Sequence, residues 1–260
     1  MEDILNKIVE HKRREIANHN YQDVEQKAKA ETRPTISMAK SLLTKRGGII
    51  AEFKRHSPSK KWINQNANVA TVVAGYCEAG AAACSILTNE EFFKGSIEHL
   101  RIARSVAVNT PLLCKEFIID AKQIYEARIA GADAVLLIAA CLSKSECEEL
   151  AKVAHSVNLE VLLEVHSESE LEYINPYIDM LGVNNRNLGT FNTSVENSHL
   201  LSRTIKALNI NIPLVSESGI DSAQTIKDLQ NSGFNGFLIG EQFMSSNNPS
   251  ETLKQLIAQL

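Results

Sequence analysis

Eight short apolar runs recur along the chain after residue 48, and most are rich in valine, isoleucine and leucine. The runs lie at residues 49–54, 84–88, 112–115, 134–138, 161–165, 181–184, 213–216 and 237–240. The segments between them carry apolar residues at helical spacing, and several open with a helix-capping pattern such as Ser143-x-x-Glu146 or Ser167-x-x-Glu170. Apolar strands that alternate with helices predict a parallel sheet with both faces buried.

A glycine junction repeats at Gly80, Gly131 and Gly233, each between the predicted end of a helix and the next strand. The two spacings are 51 and 102 residues, so the second is twice the first. A βα unit repeated to give eight strands predicts a single (β/α)8 TIM barrel of the α/β class over residues 48–260. An open, doubly wound sheet is the alternative, but no Gly-x-Gly-x-x-Gly motif follows any of the runs.

Residues 1–47 lie outside the eight units and are predicted to form an N-terminal helical extension packed on the barrel. Apolar residues at helical spacing predict an amphipathic helix from Asp3 to about Asn18 and a second helical segment over residues 37–45. The basic residues 11–14 are interpreted as the solvated face of the first helix. We expect this helix to contribute to substrate retention rather than to chemistry.

Composition, charge and the length of the apolar runs argue against several classes of protein. The chain has 31 acidic and 27 basic side chains, a net charge of −4 and a pI near 6.0, which argues against nucleic-acid binding. The longest apolar run, residues 134–142, is too short to span a membrane, and the N-terminus lacks the pattern of a signal peptide, so a cytoplasmic protein is expected. The five cysteines form no Cys-x-x-Cys pair and are interpreted as reduced core thiols.

Polar and charged residues end the predicted strands, where the active site of a barrel of this kind lies. They are Glu52, Lys54, Lys115, Glu116, Glu164, Asn184, Arg186, Glu217 and Glu241. Side chains alternate along a strand, so Glu52 and Lys54 should form an inward-facing ion pair. The turns at Gly219 and Gly240 follow the seventh and eighth strands, where barrels commonly bind phosphate through backbone N–H groups. A phosphorylated, anionic substrate is therefore predicted.

No metal or other cofactor is expected, because the seven histidines form no His-x-x-x-His pair and the strand-end residues form no ligand cluster. We interpret His56 and His166, which lie near predicted strand ends, as core or surface residues rather than as metal ligands. Ser57 and Ser218 are interpreted as hydrogen-bond donors rather than as nucleophiles.

Ordered motifs along nearly the whole chain resemble those of the indole-3-glycerol phosphate synthase family. The motifs are IIAEFKRHSPS at 49–59, SILT at 85–88, F-x-GS at 93–96, KEFI at 115–118, GADAVLLI at 131–138, EVH at 164–166, GVNNRNL at 182–188, ESGI at 217–220 and LIGE at 238–241. Two residues depart from the family pattern: Glu116 replaces an aspartate, and Lys61 replaces a glycine in the loop after the first strand. These departures leave the implied chemistry intact, but Lys61 bears on the mobility of that loop.

The resemblance implies a lyase of tryptophan biosynthesis. It would convert 1-(2-carboxyphenylamino)-1-deoxyribulose 5-phosphate into indole-3-glycerol phosphate, carbon dioxide and water. By resemblance Lys115 is the acid for ring closure, and Glu164 either orients Lys115 or exchanges protons itself. Further catalytic residues would be Glu52, Lys54 and Asn184. Implied substrate-binding residues are Ser57, Phe93, Phe117, Arg186 and Leu188, and implied phosphate-binding residues are Ser218, Gly219, Gly240 and Glu241.

A monomer is expected, with association with other enzymes of the tryptophan pathway as a further option, and no nucleic acid or membrane as a partner. From the residues alone two other classes stay open. One is a sugar-phosphate isomerase or Schiff-base aldolase that uses the same phosphate loops. The other is a non-catalytic barrel that binds a ligand or partner. Product analysis would separate these classes.

Overall fold

Eight parallel strands form a closed barrel in the computed structural model, which describes residues 4–186 and 193–260. We number the barrel strands β1 (Ile49–Phe53), β2 (Ala83–Leu87), β3 (Leu112–Lys115), β4 (Ala134–Ile138), β5 (Glu160–Val165), β6 (Met180–Asn184), β7 (Leu214–Glu217) and β8 (Gly236–Ile239). Each strand pairs with its neighbours in sequence, and β1 closes the barrel against β8. The predicted TIM barrel is confirmed, the open sheet is excluded, and every strand lies within one residue of its predicted position.

Helices surround the barrel, and further helices precede its first strand and follow its last strand. They are α1 (Ile4–Asn18), α2 (Val24–Lys29), α3 (Met38–Thr44), α4 (Val69–Glu78), α5 (Glu90–Phe93), α6 (Ile97–Val106), α7 (Ala121–Ile129), α8 (Lys144–Ser156), α9 (Glu196–Ala207), α10 (Ala223–Asn231), α11 (Glu241–Met244) and α12 (Pro249–Ala258). Short 3-10 helices cover Arg46–Gly48, Ala139–Cys141 and Glu168–Tyr173. Among the residues described, no helix is long and apolar enough to cross a membrane.

Local signals explain where several of these helices begin and end. The predicted capping box at Ser143 and Glu146 is present at the start of α8. The pattern at Ser167 and Glu170 instead begins a 3-10 helix without a side-chain cap, and the Glu170 carboxylate accepts a hydrogen bond from the backbone N–H of His166. The three repeated junction glycines all have left-handed φ angles of 94° to 103°, which only glycine adopts without strain.

Strand alternation divides the core into two layers. Ile49 and Ala51 pack outward against the surrounding helices, whereas Ile50 lies inside the barrel. Met38 and Leu42 of α3 join this inner cluster beneath the strands. The N-terminal end of the barrel is therefore filled with apolar side chains, and the strand ends at the opposite face remain available for a site.

The N-terminal helix α1 buries an apolar stripe that includes Leu5, Ile8 and Ile16. The prediction that residues 11–14 form a solvated face is wrong for Lys12, which is 2% exposed and ion-paired with Glu15 and Glu116. Lys12 follows Ile8 by four residues, so it faces the barrel with the apolar stripe. The division of the chain at residues 47 and 48 stays a prediction.

Candidate active site

A cavity of about 760 Å³ opens at the carboxyl ends of the barrel strands. Its wall contains every site residue predicted from the sequence except Leu188, which lies outside the described residues. These residues are Glu52, Lys54, Ser57, Phe93, Lys115, Phe117, Glu164, Asn184, Arg186, Ser218, Gly219, Gly240 and Glu241. Side chains separated by up to 189 positions in the sequence thus face one space.

Lys115 at the end of β3 lies between two buried carboxylates. Its Nζ is 2.5 Å from Oε2 of Glu217 and 3.4 Å from Oε2 of Glu164. Glu217 ends the seventh predicted strand, but no role was predicted for it from the sequence. The geometry of the closed barrel determines which strand-end carboxylate contacts Lys115. The sequence signal that could have indicated a role for Glu217 was its position at a strand end.

The surroundings of Lys115 hold it in the charged form. Burial alone would lower the pKa of Lys115, but the carboxylates of Glu217 and Glu164 raise it above its ordinary value. Burial would raise the pKa of Glu164, yet Lys115 and His166 together lower it. Burial and repulsion from Glu164 raise the pKa of Glu217 despite the attraction of Lys115. The two carboxylates beside one lysine are therefore not equivalent.

A second lysine–glutamate pair lies on β1 and the residue that follows it. Lys54 Nζ is 2.7 Å from Oε1 of Glu52, so the ion pair expected from strand alternation is present. Gly240 makes room for the Glu52 side chain, because a Cβ at residue 240 would lie 2.5 Å from Oε1 of Glu52. Gly182 gives Glu217 the same room, since a Cβ at residue 182 would lie 2.5 Å from its Oε1.

The side chain of Asn184 connects β5 to the next strand. Its Nδ2 donates to Oε1 of Glu164 at 3.1 Å, and its Oδ1 accepts from the backbone N–H of Arg186 at 3.0 Å. Arg186 in turn donates to Ser59 Oγ in the loop after β1 at 3.2 Å. The amide therefore holds Glu164 in place while Arg186 reaches across the mouth of the cavity.

Apolar groups form one side of the cavity. The rings of Phe93 and Phe117 are 6.0 Å apart with an interplanar angle of 33°. Ile4, Leu5 and Ile8 of α1 also line the cavity, so the N-terminal helix supplies wall residues that were not predicted individually from the sequence. Such a surface suits a planar aromatic ring.

The turns after β7 and β8 lie at the rim. Ser218 and Gly219 have consecutive left-handed φ angles of 67° and 74°, a conformation that glycine adopts without strain and serine adopts rarely. Glu241 begins α11, and its carboxylate lies 3.4 Å from Nζ of Lys60 in the loop after β1.

The structure shows the surroundings of the two departures from the family pattern. Lys61 has a left-handed φ of 58°, which is the conformation that favours glycine, and it pairs with Ser57 in a short hairpin formed by His56–Ser57 and Lys61–Trp62. The Glu116 carboxylate accepts hydrogen bonds from Lys12, Thr88 and Asn89. Glu116 thereby connects the end of β3 to α1.

Neither a metal cluster nor a disulfide occurs within the described part of the chain. No group of three or more His, Cys, Asp or Glu side chains there could hold a metal ion. The five cysteines are free thiols. The site combines two lysine–carboxylate groups with an apolar wall and a glycine-containing rim.

The sequence matches the family model described as indole-3-glycerol phosphate synthase over residues 5–256. A curated relative of that name from Bacteroides thetaiotaomicron is 50% identical over 260 residues, which cover 99% of this chain and 98% of the relative. Another of that name, from Acinetobacter baylyi, is 42% identical over 97% of this chain and 95% of its own length.

Two solved structures resemble the fold of the chain at low sequence identity. A 3-hexulose-6-phosphate synthase gives a TM-score of 0.62 at 12% identity, over 82% of this chain and 99% of its own. A chain of the tryptophan synthase complex from Pyrococcus furiosus gives a TM-score of 0.59 at 14% identity, over 83% of this chain and 98% of its own. At these identities the likeness shows the fold alone.

Proposed function

The chain belongs to the indole-3-glycerol phosphate synthase family, and from this premise we propose which of its residues perform each step of that reaction. It is a carboxy-lyase of tryptophan biosynthesis. The reaction closes the indole ring of 1-(2-carboxyphenylamino)-1-deoxyribulose 5-phosphate, with loss of carbon dioxide and water, to give indole-3-glycerol phosphate.

The proton balance defines what the site must supply. The ring carbon that bears the carboxylate attacks the ketone, whose oxygen gains one proton as the carbon–carbon bond forms. Carbon dioxide then leaves and restores the aromatic ring. The new hydroxyl departs as water after gaining a second proton, and the adjacent CH₂ loses a proton. The cycle therefore needs an acid for ring closure, followed by an acid and a base for dehydration.

Lys115 is the acid for ring closure in this proposal. Its ammonium lies in the cavity between Glu164 and Glu217, and both carboxylates favour its charged form. An acid must be protonated when the substrate binds, so this environment suits the role. A Schiff-base lysine must instead be unprotonated to attack a carbonyl, which the same carboxylates oppose.

Glu164 orients Lys115 rather than exchanging protons. It accepts from Asn184, contacts Lys115, and has a pKa well below its usual range because of Lys115 and His166. A carboxylate stabilised in this way remains ionised and accepts hydrogen bonds only. Glu217 has a raised pKa and fewer partners, so it is the carboxylate suited to return a proton to Lys115.

The Glu52–Lys54 pair performs the dehydration. The Lys54 ammonium first neutralises the aryl carboxylate, and after carbon dioxide has left it donates a proton to the departing hydroxyl. Glu52 accepts the proton from the adjacent CH₂. The 2.7 Å contact within the pair supports this assignment, because the proton gained by Glu52 can restore Lys54.

Binding energy comes from the two ends of the substrate. The aryl ring packs against Phe93 and Phe117, and the phosphate accepts hydrogen bonds from the N–H groups of residues 218, 219, 240 and 241 at the rim. Arg186 and Ser57 contact the substrate between these ends. Leu188, outside the described residues, is proposed as a further substrate-binding residue.

The convergence of two lysine–glutamate pairs on one cavity is the observation that supports these assignments most strongly. The test is incubation of the purified protein with the arylamino substrate, followed by indole absorbance and carbon dioxide release. Equal amounts of both products are expected. Isomerised or cleaved sugar without carbon dioxide would contradict the proposal.

We also propose that the protein acts as a monomer. Association with other enzymes of the tryptophan pathway and a cytoplasmic location also remain proposals.

A further inference from the structure

His166 lies directly after β5, behind Glu164, and is absent from the residues that line the cavity. Its Nε2 is 3.2 Å from Oε1 of Glu164, and its Nδ1 is 3.5 Å from Oε2 of Glu170. The imidazole is only 12% exposed, so water screens these two contacts weakly. Within residues 4–186 and 193–260 neither ring nitrogen makes a hydrogen bond, so both contacts are charge–charge contacts, which are favourable when the ring carries a positive charge.

Backbone contacts hold His166 in this position. Oε2 of Glu170 accepts a hydrogen bond from the backbone N–H of His166 at 2.6 Å. Asn197 Nδ2 donates to the carbonyl oxygens of both His166 and Asn184, at 3.2 and 3.1 Å. The loop after β5 is thus fixed against the end of β6. That end carries Asn184, which donates a hydrogen bond to Glu164.

The partners of the two carboxylates beside Lys115 differ. Glu164 contacts Lys115 through Oε2, and both Asn184 and His166 through Oε1. Glu217 contacts Lys115 through Oε2, while its buried Oε1 finds no hydrogen-bond partner within residues 4–186 and 193–260. Without His166, the two carboxylates would differ by one amide hydrogen bond.

We propose that His166 is a positioning residue which, as an imidazolium, keeps Glu164 ionised and thereby leaves Glu217 as the carboxylate that exchanges protons with Lys115. This inference rests on the proposed function of Lys115 and its two glutamates. The charged groups that face His166 are Glu164 and Glu170, with Lys115 beyond Glu164. No ionisable group of the substrate needs to contact it.

The electrostatics agree with this geometry. Burial would lower the pKa of His166, but its interactions with Glu164 and Glu170 raise it to about 10. The imidazole is therefore charged at neutral pH. A positive charge within 4 Å of a buried carboxylate favours its ionised form, which is the form that Glu164 needs in order to accept from Lys115.

The test is the pH dependence of kcat in His166→Gln. Glutamine keeps a hydrogen-bond donor but removes the charge, so the pKa of Glu164 should rise. The acidic limb of kcat should move upward by about 1–3 pH units, with KM within about twofold because His166 is outside the cavity wall. An unchanged kcat profile, or equal losses in kcat and KM at every pH, would overturn the proposal.

His155→Gln is the matched control. His155 also pairs with a carboxylate, at 2.9 Å from Asp179, but at a surface position outside the site. Its pH profile should match that of the unmodified protein. If both variants shift the profile equally, the effect belongs to histidine replacement in general and the proposal is wrong.

NMR of the imidazole nitrogens provides a readout that does not depend on turnover or on either variant. At pH 8 the His166 ring should show two protonated nitrogens in the unmodified protein, and Glu164→Gln should lower the pH at which it loses a proton. A neutral ring at pH 8 would overturn the proposal even in an active enzyme. A charged ring in a protein without synthase activity would instead contradict the proposed function.

Discussion

Simultaneous replacement of Lys12 and Glu116 measures how firmly the N-terminal helix is attached to the catalytic strand. Lys12 Nζ lies 3.1 Å from Oε2 of Glu116 and 2.8 Å from Oε2 of Glu15. The side chains of Lys12 and Glu116 are only 3% and 10% exposed. Glu116 is the residue after Lys115, so the pair connects α1 directly to the site.

The size of the effect follows from distance and burial. Two unit charges 3.1 Å apart attract by about 5 kcal/mol at an effective dielectric constant of 20, before desolvation is subtracted. Lys12→Met leaves the Glu116 carboxylate buried, but Thr88 and Asn89 still donate to it, so we expect a loss of about 3 kcal/mol of unfolding free energy. We expect about 2 kcal/mol of coupling between the two positions.

Urea unfolding of Lys12→Met, Glu116→Gln and the double variant at pH 7 gives this coupling. A parallel cycle at Lys29 and Glu25 is the control, because that pair has a shorter contact of 2.6 Å but side chains that are more than half exposed. The control coupling should be several-fold smaller. Equal couplings in the two cycles would refute the argument that burial, rather than distance, determines the strength of the Lys12–Glu116 pair.

Three further predictions concern the rim, the histidine and metal dependence. Gly219→Ala should mainly raise KM, because the left-handed φ of 74° at Gly219 shapes the proposed phosphate turn. Gly240→Ala should instead lower kcat, because the added Cβ would displace Glu52. Equal losses of kcat in the two variants, measured by Michaelis kinetics, would contradict this difference. His166 has a raised pKa, so its contribution to stability is present below pH 6.5 and is lost as the pH rises towards 10. In urea unfolding, the loss of unfolding free energy caused by His166→Gln should therefore shrink by about 2–5 kcal/mol between these pH values. A loss that stays constant with pH would argue against a charged ring. Activity should survive dialysis against a chelator, since the proposed acids are lysines; restoration of lost activity by a divalent ion would contradict them.

Periodicity made most of the fold predictable. Eight apolar runs and three repeated glycine junctions are local signals, and each depends only on neighbouring residues. The inward pair of Glu52 and Lys54 followed from the same alternation. Lys12 was also accessible to this reasoning, since it continues the stripe of Leu5 and Ile8 at four-residue spacing, but its charge led to the wrong assignment.

Other features depend on three-dimensional register. Lys115 meets Glu217 more closely than Glu164, and no spacing in the sequence determines that order. The contact of His166 with Glu170 required a 3-10 helix where the capping pattern predicted an ordinary helix. Such contacts form when elements that are distant in sequence come together around one cavity. A single sequence gives the residue types of these elements but not which side chains contact one another.

Single-turnover kinetics of Lys115→Met with the arylamino substrate test the central claim most directly. If Lys115 is the acid for ring closure, indole formation should slow by roughly 10²–10⁴, while substrate binding measured by equilibrium titration stays nearly unchanged. Borohydride added during turnover of the unmodified protein should trap no adduct on Lys115. Indole formation within about tenfold of the normal rate in Lys115→Met, or a trapped adduct at this residue, would contradict the assignment.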